Sequence, residues 1–222
     1  MPANSMFFFE LFTRKIYGVE TKDTIKARLP KSQVLDIIKE ISKDYDALSV
    51  LSTHAINFMY GAERIYGDDE PLFDPSVFVD VMQNKMQKLE NKEHVAMVIY
   101  LVTHCIIGAS EFYSEEITRD IEIYKTLFRE GEKVIQEHYA DVALDAKFEF
   151  LVCARLLNQE TFLEKIIYTE AENSLSPIHN FMDDTLNTNV DIKKRYPELR
   201  EHTNVLYIMS RSKRNQKDIF NI

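Results

Sequence analysis

Four residues able to bind metal or move protons recur along the chain at a near-constant interval. Thr53-His54-Ala55-Ile56 is echoed by Thr103-His104-Cys105-Ile106, and the step continues to Cys153 in Leu151-Val152-Cys153-Ala154 and to His202 in Glu201-His202-Thr203-Asn204. The interval is close to 50 residues each time, the signature of a repeated supersecondary unit. Imidazole and thiolate are ligands that zinc prefers, and imidazole exchanges protons near neutrality. No two of the four stand at i, i+3 or i, i+4, so any joint action depends on the tertiary fold. The plainer reading is structural: each imidazole satisfies a backbone carbonyl between helices, and Thr53 and Thr103 bond their own preceding turns. The functional reading makes His54, Asn57, His104, Glu111, Arg155, His202 and Asn204 the lining of one ligand-contacting face. No metal is expected there, because neighbouring inner helices of an open arc lie ~10 Å apart and the first and fourth copies could not share an ion.

Other chemistry is pruned by what the sequence lacks. It contains no His-Glu-x-x-His, Cys-x-x-Cys, Glu-x-x-His, Gly-x-Ser-x-Gly or phosphate-cradling Gly-rich loop, so no cofactor is expected and catalytic residues are unassigned. Asp68-Asp69-Glu70, with Asp74, lacks the alternating ligands and central glycine of an EF-hand and reads as a solvated connection. His94, His138 and His179 follow no pattern.

The elements that must position these residues are helices. With 5 Gly and 6 Pro in 222 residues, the chain has too few turn formers for a β-sandwich or barrel. Apolar residues recur at helical spacing almost throughout. Val34, Ile37, Ile38 and Ile41 make one face of an amphipathic helix over Lys31–Tyr45, and Ala47–Tyr66 is apolar nearly all round. The same alternation returns as Val77–Leu89 then His94–Tyr113, as Ile117–Tyr139 capped by Ser114 then Val142–Leu157, and as Phe162–Glu172 then Glu198–Arg211 behind Pro197. A Phe-rich helix over about residues 4–17 precedes them. The expected architecture is all-α: one helical domain over 1–222, built from stacked αα-hairpins at about 31–66, 75–113, 115–157 and 160–211 with a period near 50. Such a stack makes an open solenoid arc or a partial α/α-toroid.

Leu101-Val102-Thr103-His104-Cys105-Ile106, together with Glu149-Phe150-Leu151-Val152-Cys153-Ala154-Arg155-Leu156-Leu157, resembles uncharacterised bacterial helical-hairpin proteins of the α/α-toroid type. The likeness covers the central third to half of the chain and implies a fold, without an activity. Cyclases on similar toroids use a Cys, Cys-His metal set whose spacing is not found here.

Charge narrows the partners. The balance of 27 Lys+Arg against 36 Asp+Glu gives −9, the wrong sign for general binding to nucleic acid or to an anionic membrane. The basic stretches Lys193, Lys194, Arg195 and Arg211, Lys213, Arg214, Lys217 read as solvated surface. Cys105 and Cys153 sit in apolar segments and are expected as reduced, buried thiols. The Phe-rich N-terminus carries Glu10 within it and its positive charges after it, unlike a signal peptide, and Val95–Ser110, a long uncharged run, is shorter than a bilayer requires. A cytoplasmic location follows as the expectation. The function expected is non-catalytic: a helical-repeat protein that receives a peptide or protein segment on its concave face. The alternative is an enzyme or accessory component of peptide modification that uses His54 and His104 as acid/base groups in a central pocket.

Overall fold

The computed structural model describes residues 3–67, 70–86, 89–175 and 198–212. They are all-helical, with no strand element among the described residues. The helices are α1 (Ala3–Tyr17), α2 (Lys22–Arg28), α3 (Lys31–Lys43), α4 (Tyr45–Val50), α5 (Ser52–Tyr66), α6 (Ser76–Met86), α7 (Lys92–Ala109), α8 (Ile121–Glu137), α9 (Leu144–Leu156), α10 (Leu163–Asn173) and α11 (Glu198–Arg211), with a 3₁₀ turn at Tyr139–Asp141. The segment from Ser176, His179, the basic stretch Lys193, Lys194 and Arg195, Pro197, the pair Asp68 and Asp69, and Lys213, Arg214 and Lys217 lie outside the described residues.

Local chemistry explains the helix boundaries. Asp44 accepts the Ala47 N–H at 2.8 Å and starts α4, and Asn91 accepts the His94 N–H at 2.9 Å and starts α7. The helix expected over Ala47–Tyr66 is two helices, because the chain bends at Leu51 between α4 and α5. α2 was not expected; it is short and buries only Ile25.

The larger difference follows α7. A helix to Tyr113 and a Ser114 cap were expected, but α7 ends at Ala109 and Glu111, Phe112 and Tyr113 take φ of 47°, 55° and 71°. Three consecutive left-handed residues cost about 1–2 kcal/mol each in backbone strain. Their tertiary contacts hold them: Phe112 packs its ring 4.9 Å from Phe8, and Glu111 pairs with Arg14 and Arg64. The Ser114 hydroxyl donates back to the Glu111 carbonyl instead of capping α8, which starts at Ile121 behind a left-handed Asp120.

Packing places α7 at the centre, against α5, α6, α8 and α9. α1 packs on α5, α5 on α7, α7 on α9 and α9 on α11. Contacts along the first two of these pairs advance in the same direction. On α1, Asn4 and Glu10 meet His54 and Arg64 of α5; on α5, Asn57 and Arg64 meet His104 and Glu111 of the α7 end. These helices therefore run parallel. Glycine sets how closely they approach: a Cβ at Gly61 would fall 2.7 Å from the Phe7 ring, and one at Gly108 would fall 2.3 Å from the Tyr60 ring. Stacked Phe128 and Phe150, 4.4 Å apart, tie α8 to α9. α7 has the length and composition of a membrane-crossing helix, yet here it is the central helix of the core.

Candidate functional site

Thr103 and His104 leave α7 in adjacent directions, and both meet polar partners on neighbouring helices. Thr103 is fully buried and its hydroxyl donates to Glu149 Oε2 at 2.7 Å, with a longer 3.5 Å approach to the Tyr100 carbonyl of its own preceding turn. His104 Nδ1 lies 3.0 Å from Asn57 Oδ1 on α5, and its Nε2 lies 3.9 Å from Glu149 Oε1. An amide oxygen only accepts, so Nδ1 carries the imidazole proton and Nε2 presents a lone pair. The expected partner of His104 was a backbone carbonyl; the partner found is a side chain.

Burial dominates the electrostatics. It pushes Glu149, only 4 % exposed, up to about 7, with Asp145 adding to the rise and the Thr103 hydroxyl opposing it. His104 is driven the other way, to about 4, by burial first and then by the charges of His202 and His54. At neutral pH His104 is therefore uncharged, and its contact with Glu149 is not an ion pair. The left-handed turn after α7 brings Tyr113 into the same neighbourhood, where burial first, then Glu149 and Cys153, push its phenol up.

The sequence candidates separate into two groups. His54 and His202 are exposed, lie near enough to His104 to act on its charge, and belong to α5 and α11. Asn57 bridges to His104, and Asn204 lies half-buried two residues beyond His202. Glu111 and Arg155 stand apart in ion pairs of their own. Glu111 binds Arg14 and Arg64, and Arg64 also pairs with fully buried Glu10. Arg155 binds Glu164, the Ser210 carbonyl and the Tyr168 hydroxyl, which clamps α9 to α10 and α11. Cys105 and Cys153 are free, buried thiols, and Cys153 Sγ donates to the Thr103 carbonyl at 3.6 Å. Among the described residues no three His, Cys, Asp or Glu side chains converge as metal ligands.

Glu149 is the residue that sequence reasoning missed. Its signal was present: a single carboxylate between Phe148 and Phe150, on a helix that buries every residue from Ala146 to Ala154. An ionisable group with no solvent face to occupy must find a partner indoors. Glu10 in the Phe-rich helix α1 and Lys147 on α9 carry the same signal, and each is paired, Glu10 with Arg64 and Lys147 with Glu170.

No protein family, curated protein or solved structure matches the chain, so the likeness to α/α-toroid proteins rests on the quoted residues alone.

Proposed function

We propose that the chain is a non-catalytic stack of αα-hairpins, with α1, α5, α7, α9 and α11 as its inner row, and that a peptide or protein segment docks on the face carrying His54, Asn57, His104, His202 and Asn204. The observation that carries this is the packing order, α1 on α5, α5 on α7, α7 on α9 and α9 on α11, with the Asn57–His104 bridge joining two members of that row. A row of helices stacked in this way is the kind of surface that solenoids use for binding. Extensive packing of α1 on α11 is not found among the described residues, which favours an arc over a closed ring.

The groups on that face suit a main chain. His104 Nε2 can accept a peptide N–H, and Asn57, whose oxygen is taken by His104, keeps its amide hydrogens for a carbonyl. His54 on α5 and His202 on α11 are open to solvent. Glu111 and Arg155, also expected on that face, are engaged in ion pairs of their own.

One observation favours the second reading, acid/base chemistry on a peptide. His104 Nε2 and Glu149 Oε1 lie 3.9 Å apart, and Glu149 titrates near 7, where it could hand a proton across that gap. The two readings part at Glu149→Gln: binding survives it in the first, and turnover is lost in the second.

Panning a displayed library of random peptides on the full chain tests the first reading. Enriched peptides should bind wild type and lose most of their affinity against the double variant His54→Ala, His202→Ala. The melting temperature of that variant should stay within about 1–2 °C, since both side chains are exposed. Failure to enrich any peptide, or peptides indifferent to the double variant, would overturn it.

A further inference from the structure

We propose that α1 pairs with α1 of a second copy of the chain through a stripe of apolar residues on its outer face. The inner face of α1 buries Phe7, Glu10 and Leu11 against the rest of the fold. On the opposite side, Ser5, Phe9, Phe12 and Ile16 follow one another at intervals of four, three and four, the spacing of a helix–helix seam, and Val19 lies just beyond the left-handed Gly18 that ends the helix. Phe9, Phe12, Ile16, Val19 and the adjoining Tyr17 are 50 to 73 % exposed. Elsewhere among the described residues the large exposed apolar side chains come singly or in pairs, such as Val50 with Leu51 and Val205 with Ile208.

The area is what a dimer needs. An aromatic or branched side chain presents on the order of 150–250 Å² when fully exposed. At half to three-quarters exposure, these five offer roughly 500 Å² per chain. Two copies would bury on the order of 1,000 Å², the lower bound for a specific interface. A patch of this size lies at the upper end of what a monomer leaves bare.

Self-pairing is favoured over other occupants by the symmetry of the stripe. An antiparallel crossing with its two-fold axis at Phe12 sets Phe12 against Phe12 of the second copy and brings Phe9 beside Lys15 and Ile16, with Ile16 as its apolar contact. Lys15, on the flank, then lies beside Phe9 of the second copy rather than beside a like charge. The antiparallel crossing also opposes the two helix dipoles favourably. A lipid surface fits less well, because a chain of net charge −9 is repelled by anionic headgroups. End-to-end stacking through α11 fits less well too, since α11 exposes only Val205 and Ile208 as large apolar side chains among its described residues.

Sedimentation of the full chain from about 1 to about 100 µM, the range in which modest interfaces associate, reads the outcome directly. We expect twice the 26.0 kDa monomer mass, with association that tightens as salt screens the acidic chains. Phe12→Lys should weaken association at least ten-fold with an unchanged melting temperature, whereas Ile208→Lys should leave it intact. Phe12→Cys should form a disulfide-linked dimer on mild oxidation, because its side chain lies on the two-fold axis and both native cysteines are buried. A monomer at about 100 µM overturns the proposal, as does a dimer that survives Phe12→Lys, one lost in Ile208→Lys, or an open-ended series of larger species. Recruitment to vesicles of anionic lipid through Phe12, with the chain monomeric in solution, would assign the stripe to a membrane and overturn it equally.

Discussion

Glu149 and His104 have had their proton affinities moved in opposite directions, and stability records the consequence. Glu149 rises from 4.5 to about 7, so in the fold it keeps a proton that the unfolded chain releases between those values, and its contribution is lost as pH rises through that window. His104 falls from 6.5 to about 4, so the unfolded chain takes a proton that the fold refuses, and its contribution is lost as pH falls through that window. Between pH 4.5 and 6.5 the two effects cancel, one proton against one. Single substitutions should uncover them. Relative to wild type, Glu149→Gln should gain stability with rising pH across this interval, and His104→Asn should lose it. Each slope approaches about 1.4 kcal/mol per pH unit, the value for one proton. Denaturant unfolding at pH 5 and pH 6.5 measures both; slopes of the same sign would refute the burial assigned to one of the pair.

The helices are held at chosen separations by residues that no helical periodicity reveals. Tyr60 occupies the gap above Gly108 and cannot swing away, because it is buried and its hydroxyl is 2.9 Å from that of Tyr124. Gly108→Ala should therefore cost about 1–3 kcal/mol by overpacking, more than the ~1 kcal/mol that alanine returns in helix propensity. Gly61→Ala meets Phe7 at 2.7 Å and should cost somewhat less, since α1 is the terminal helix and can shift. Gly131→Ala meets Val102 at 3.0 Å and the Phe150 ring at 3.4 Å, the mildest of the three approaches, and should be close to neutral. Thermal melts of the three variants give the order; a neutral Gly108→Ala would mean that α5 and α7 are not locked at this distance. At the α1–α5 contact the lock is electrostatic. Glu10→Ala leaves the buried Arg64 guanidinium with Glu111 alone, and should cost about 2–3 kcal/mol, below the 3–5 typical of a buried pair stripped of its only partner.

Stability in a row of helices that each touch their neighbours is graded along the row. α7 packs on α4, α5, α6, α8 and α9, and α9 on α7, α8, α10 and α11, while α2 makes its main contact with α1 alone. Hydrogen exchange should accordingly show the slowest amides in α7 and α9, faster exchange in α1 and α11, and the fastest in α2. Uniform protection across all helices would instead indicate one all-or-none unit. At the same scale, circular dichroism should report helix with negligible sheet; strand content near the ~20–25 % globular average would contradict the fold.

Composition and periodicity were sufficient for the class of fold and most helix positions. Scarce Gly and Pro, and apolar residues at helical spacing, act locally and leave few alternatives. The expected helix over Glu198–Arg211 coincides with α11, and the apolar expectation over Val142–Leu157 contains α9. Thr103-His104 likewise marked where polar side chains leave α7 for partners on its neighbours. Their partners were not legible. Asn57 reaches His104 across 47 residues and Glu149 reaches Thr103 across 46, and only the stacking of one helix on the next sets those pairs. The left-handed turn at Glu111–Tyr113 was hidden for the same reason: local preference opposes it, and contacts with Phe8, Arg14 and Arg64 outweigh that preference. Helical spacing is a property of neighbours in the chain, whereas burial, and with it the charge state of Glu149 and His104, belongs to neighbours in space.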